Sequence, residues 1–310
     1  MSFYNLSSYV KYGLFLQDIR DNNPYDLIVF ERKFQSDLDI LKFNIKFLDQ
    51  DTDSFSKQIN NYLSNYSDVL LILDESNSYD ALWWLQLKWN LTIINLHVGI
   101  SWLGNKNKLD WNDISYLLNL WFEVYEPRDM NNFTKILLTQ WNKYLRLNNN
   151  DLPQNLMYFK DFAIIDQKVL ESKNMLSLVN NGFSWFDWVV IVSWSLLENA
   201  IQALRISSEN HWYSFDLFCM SNLDIDLWND LVESLTKNWF LIIIVDQSYP
   251  NWYQDYIRLK FKEKWYESVR IKFIYPEYDK LNTVMEEYKF EQVWLDWLSI
   301  ANKIQNIMKS

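Results

Sequence analysis

Val189-Val190-Ile191-Val192 is an unbroken β-branched run, the pattern of a strand covered on both faces. Ser193-Trp194-Ser195 reads as a turn, with Ser195 able to cap a helix. Leu196, Leu197, Ala200, Ile201 and Leu204 then recur at helical spacing, as on the face of a helix that lies on a sheet. Tyr213 to Cys219 predicts a second strand, Leu227 to Leu235 a second helix, and Phe240 to Val245 a third buried strand. Strand, helix, strand, helix, strand at this spacing predicts crossover connections and a mostly parallel sheet.

The first half repeats the alternation. Asp26 to Arg32, Phe43 to Leu48, Val69 to Leu73, Leu91 to Leu96 and Phe122 to Tyr125 predict strands. Asp53 to Tyr66, Tyr79 to Leu87, Asn112 to Leu120 and Asn132 to Leu147 predict helices, and residues 1–23 a short one marked by Tyr9, Leu14, Leu16 and Ile19. Residues 141–184 are rich in Asn, Asp and Ser around short apolar marks, and their later part reads as a connector. The expected fold is α/β in two domains, each a mostly parallel sheet covered by helices: residues 1–165, a linker over 166–185, and residues 186–310.

"VVIVSWSLLENAIQAL", "SNLDIDLWNDLVESL" and "TKNWFLIIIVDQS" resemble the C-terminal domain of transketolase-type enzymes, which depend on thiamine diphosphate. The closing "DKLNTVMEEYKFEQVWLDWLSIANKIQNIM" is similar to the segment that leads into the last helix of transketolases. In the first half, "FLDQDTDS", "NSYDAL" and "LTIINLHVGISWLGNKNKLDWNDISYLLNLWFEVYEPRD" follow the order of that family's pyrimidine-binding domain, and Leu156 to Phe159 resembles its last strand. The resemblance implies the C-terminal half of a transketolase as a separate subunit. Its cofactor, thiamine diphosphate with Mg²⁺, would be bound only together with a partner diphosphate-binding subunit, and the chain would also self-dimerise. Two functions remain open: a subunit of an enzyme that transfers a two-carbon ketol unit, or a catalytically degenerate structural or regulatory subunit of the same fold.

The resemblance also implies where the chemistry belongs. The family's catalytic glutamate, which holds the aminopyrimidine ring in its reactive tautomer, falls at Ser54, with Asp53 one position early and one methylene short. Asp53 is therefore the candidate cofactor-binding residue; alternatively Asp51 and Asp53 simply suit the positive end of a helix. The stacking aromatic has no counterpart in Asp74 to Ser78, and the family arginine falls at Asn77. The loop from Gly104 to Trp111 carries no histidine, only Lys106 and Lys108 as cations. His97 reads as a structural histidine on a strand, His211 as an exposed one, and Cys219 as a small buried apolar residue.

Composition adds one anomaly. The 310 residues include 17 Trp and 4 Gly, whereas average usage of about 7% predicts roughly 22 glycines. Most of the tryptophans adjoin Asn, Asp, Ser, Lys, Gln or His, the company that turn glycines keep. Trp194, Trp212 and Trp239 fall where the family has glycine. Either the protein is Trp-rich, or many of these positions are glycines encoded by UGA and read under the wrong genetic code. Net charge of −11 disfavours a phosphate-backbone footprint and so nucleic-acid binding. One cysteine excludes a disulfide framework. No apolar run approaches membrane-spanning length, and the first residues lack a basic-then-apolar signal, so the sequence reads as cytoplasmic with no membrane partner.

Overall fold

The computed structural model describes residues 25–31, 45–48, 55–74, 90–96, 113–127, 130–139, 141–147, 175–179, 188–193, 196–211, 213–220, 222–223, 229–245, 250–264, 266–276 and 295–309. The chain divides into two compact units, each with its own sheet.

The first sheet comprises β1 (Leu27–Glu31), β2 (Ile45–Leu48), β3 (Val69–Asp74), β4 (Leu91–Leu96), β5 (Glu123–Tyr125) and β6 (Lys143–Leu147). Its order is β2-β1-β3-β4-β6-β5, with every pairing parallel. Leu70 to Leu73 are wholly buried, as expected of a strand sandwiched between layers. The helices are α1 (Phe55–Asn65), α2 (Asp113–Asn119) and α3 (Met130–Leu137). Phe133, Ile136 and Leu137 of α3 pack on Ile28, Phe30, Leu70, Ile72, Ile94, Tyr125 and Leu145 in one core.

The helix expected over Asn132 to Leu147 is a correction. α3 ends at Leu137, and residues 143–147 are the sixth strand, set between β4 and β5. Lys-Tyr-Leu-Arg-Leu fits either period by itself. Pairing on both edges decides it, because it buries Tyr144 and Leu145 completely on opposite faces. The last strand expected at Leu156 to Phe159, and the helices expected over 1–23 and 79–87, lie outside the described residues.

The second sheet comprises β7 (Met175–Val179), β8 (Trp188–Ser193), β9 (Phe215–Met220), β10 (Phe240–Ile244) and β11 (Arg270–Ile274). Its order is β11-β10-β8-β9-β7; only β7, against β9, is antiparallel. β7 lies within the stretch read from sequence as a linker. Val189 to Val192 and Leu241 to Ile244 are fully buried. The helices are α4 (Leu197–His211), α5 (Asn229–Asn238), α6 (Pro250–Glu263) and α7 (Trp297–Lys309). Asp296 caps α7, its Oδ1 accepting from the Leu298 and Ser299 amides at 3.0 and 3.1 Å. α7 packs along α4, where Asn199 Nδ2 donates to the Leu295 carbonyl at 3.1 Å. Two mostly parallel sheets with helices are the α/β architecture the alternation predicts. No helix among the described residues is long and apolar enough to cross a membrane.

Candidate functional site

Open α/β sheets take ligands beyond the carboxyl ends of their strands. Among the described residues of the first unit, β4 and β6 carry linked polar groups toward that end. Asn95 lies opposite Arg146 in the parallel register, and Ile93 opposite Tyr144. The period of two puts Asn95, Tyr144 and Arg146 on one face, opposite the α3 core. Asn95 Nδ2 donates to the Tyr144 hydroxyl at 2.7 Å, and both residues are almost fully buried. Arg146 forms an ion pair with Glu126, the residue after β5, at 4% and 2% exposure. A guanidinium so enclosed is neutralised by the protein itself, so the pair braces the β5–β6 end rather than offering a free cation to a ligand.

The opposite end of the sheet is tied together by side-chain hydrogen bonds to backbone amides. Asp26 Oδ2 accepts from the Ser67 and Asp68 amides, and Asn142 Oδ1 from the Leu91 amide. A cavity of about 220 Å³ opens there, lined by Tyr25, Asp68, Asn90, Thr92 and Lys143 among others. Lys143 Nζ donates to the carbonyls of Ile136 at 3.1 Å and Leu137 at 2.8 Å, and also to that of Thr139. These carbonyls close α3, so the ammonium caps the negative end of the helix. Burial pushes its pKa down to about 8, against the nearby carboxylates of Glu123 and Asp68. The Tyr25 hydroxyl lies 3.1 Å from Thr92 Oγ1 and 3.3 Å from the Leu137 carbonyl. Burial pushes its pKa up to about 12. The cavity is thus the packing of a helix cap, at the end of the sheet away from ligand chemistry.

These two shifts have opposite signs in stability. Unfolded lysine binds more protons than Lys143 between about pH 8 and 10.5, so this group adds stability as pH rises through that window. Folded Tyr25 keeps its proton from about pH 10 to 12 while the unfolded residue loses it, so stability falls as pH rises there. Two pKa units correspond to about 2.7 kcal/mol. Urea titrations of Tyr25→Phe are expected to lose much of the decline between pH 10 and 12; an unchanged decline would remove Tyr25 as its cause.

The residues singled out from sequence are only in part placed. Asp51, Asp53, Ser54, Asn77, His97, Lys106, Lys108, Trp194 and Trp212 lie outside the described residues. Cys219 is buried on β9, and His211 is exposed at the end of α4, its Nε2 2.7 Å from Gln305 Nε2. The polar residues that matter to the first sheet, Asn95, Glu126, Lys143, Tyr144 and Arg146, are absent from the sequence expectations. Their signal was a charge inside an apolar run, visible in "EVYE" and "KYLRL" once both are recognised as strands.

No family model matches the chain, and no curated protein sequence matches it. Solved structures do. A structure described as a split-gene transketolase, inactive β4 tetramer, aligns with a TM-score of 0.65 at 13% identity, over 95% of this chain and 96% of that one. A transketolase from Campylobacter jejuni subsp. jejuni NCTC 11168 aligns with a TM-score of 0.58 at 13% identity, over 93% of this chain but 45% of that one. The chain therefore has a transketolase-like fold, and it spans less than half the length of the second of these structures.

Proposed function

We propose that this chain is a transketolase-like subunit of a thiamine-diphosphate-dependent enzyme that transfers a two-carbon ketol unit, and that it works only with a separate diphosphate-binding subunit. The observation that carries this is the whole-chain likeness to a split-gene transketolase structure, 95% of one chain against 96% of the other. On this reading residues 1–165 are the pyrimidine-binding domain, 166–185 a linker that also supplies β7 to the second sheet, and 186–310 the C-terminal domain, in a cytoplasmic protein that also self-dimerises. Many family glycines are written as tryptophan.

The described residues do not themselves form a cofactor site. Among them no group of three His, Cys, Asp or Glu stands together to hold a metal. Arg146 is taken by Glu126, and the cavity beside Lys143 lies at the amino ends of the strands. On the family resemblance, the diphosphate and its Mg²⁺ fall to the partner subunit. Asp53 remains the candidate contact to the aminopyrimidine. Serine at the family's glutamate position and asparagine at its arginine position favour the second reading, a degenerate structural or regulatory subunit.

The test is reconstitution with a diphosphate-binding subunit encoded beside this chain. A stable complex with ketol transfer that requires thiamine diphosphate supports the enzyme reading. A stable complex without transfer supports the degenerate one, and the absence of any complex overturns both.

A further inference from the structure

Among the described residues, three non-glycine positions have positive φ: Asn90 at 64°, Trp121 at 63° and Trp239 at 58°. Asparagine tolerates this region, because its short polar side chain bonds locally. Tryptophan does not, and a bulky residue there is an outlier that calls for a cause.

Trp121 sits where α2 hands over to β5. Its amide donates to the Leu118 carbonyl at 3.1 Å, and the Phe122 amide reaches back to Leu117 at 3.0 Å. Leu117 and Phe122 are both buried. This pair of bonds is the Schellman ending, whose left-handed residue is most often glycine. Trp239 sits where α5 hands over to β10. Its amide donates to Leu235 at 2.8 Å and its carbonyl accepts from Arg270 at 2.8 Å, so the peptide is pinned on both sides. A third junction, α6 to β11, closes with the Tyr266 amide on the Phe261 carbonyl at 2.9 Å.

Strain of this kind is normally kept at a functional site and offset by contacts of the strained side chain. Trp121 is 88% exposed and Trp239 41% exposed, so burial of the ring offsets little. They also lie in different units, at junctions that share only one need, a residue without a Cβ. A chain with 4 glycines and 17 tryptophans has the deficit that this need would expose.

We propose that positions 121 and 239 are glycine in the protein as its own cells make it, encoded by UGA codons read there as glycine. The geometry is independent of any catalytic role, so failure of this inference would remove the glycine reading but leave the ketol-transfer and partner-subunit reading untouched, and the reverse also holds.

The test compares Trp121→Gly, Trp239→Gly, Trp121→Ala and Trp239→Ala with the chain carrying tryptophan, and reads the codons and peptide masses of the protein isolated from its source cells. Each glycine variant is expected to raise Tm by about 2–4 °C. Each alanine variant gains less than its glycine counterpart, because the Cβ remains. UGA at both codons and glycine masses in the source protein are expected. UGG codons, tryptophan masses, or alanine matching glycine in Tm would overturn the proposal.

Discussion

Arg146→Met is expected to lower the unfolding free energy by about 3–5 kcal/mol in urea titration. The guanidinium and the Glu126 carboxylate are both almost wholly removed from water, at 4% and 2% exposure. Removing one partner leaves the other charge in the interior, and that desolvation cost is what the measurement reads. Replacing both, as in Arg146→Met with Glu126→Leu, removes the stranded charge and is expected to recover most of the loss, since a buried pair often nets little against apolar packing of similar volume. The non-additivity of the cycle separates a coupled pair from two unrelated packing losses. A cost below about 1 kcal/mol for Arg146→Met would mean the pair is screened by water and does not brace the β5–β6 end.

The second large effect is in ligand affinity. This chain alone, without a diphosphate-binding subunit, is expected not to bind thiamine diphosphate tightly in calorimetric titration with Mg²⁺. On the family resemblance, the aminopyrimidine has lost the glutamate to Ser54 and has no stacking aromatic before Tyr79. A hydrogen bond to a charged group contributes about 1.5–3 kcal/mol, and an aromatic pair about 0.5–1.5 kcal/mol beyond its buried area. Together these correspond to roughly two to three powers of ten in affinity, before the missing diphosphate contacts are counted. The titration is best made on the chain with glycine at positions 121 and 239. Micromolar binding by the isolated chain would refute the expectation. If that binding vanished in Asp53→Ala, Asp53 would be the carboxylate that meets the ring.

The division between what sequence settles and what it leaves open follows the range of the forces involved. Strands buried on both faces announce themselves locally, since every position must be apolar: Val189 to Val192, Phe240 to Ile244 and Val69 to Leu73 are strands in the structure, with α4 and α5 between the first two. The α/β class follows from that alternation alone. The candidate site was far less legible. Asp53 came from a family resemblance, whereas Asn95, Tyr144, Arg146 and Glu126 meet only because β6 inserts between β4 and β5.

Tertiary structure alone decided three things. It decided that "KYLRL" is a strand, because a five-residue segment carries too little periodicity until both its edges are paired. It decided that Met175–Val179 joins the second sheet, since an antiparallel edge strand is defined by its partner β9 and not by its own composition. It also decided that Trp121 and Trp239 lie in the left-handed region. Composition could count the missing glycines, but only the helix-to-strand junctions locate where a residue without a Cβ is required, because φ is set by the hydrogen bonds on either side of the peptide.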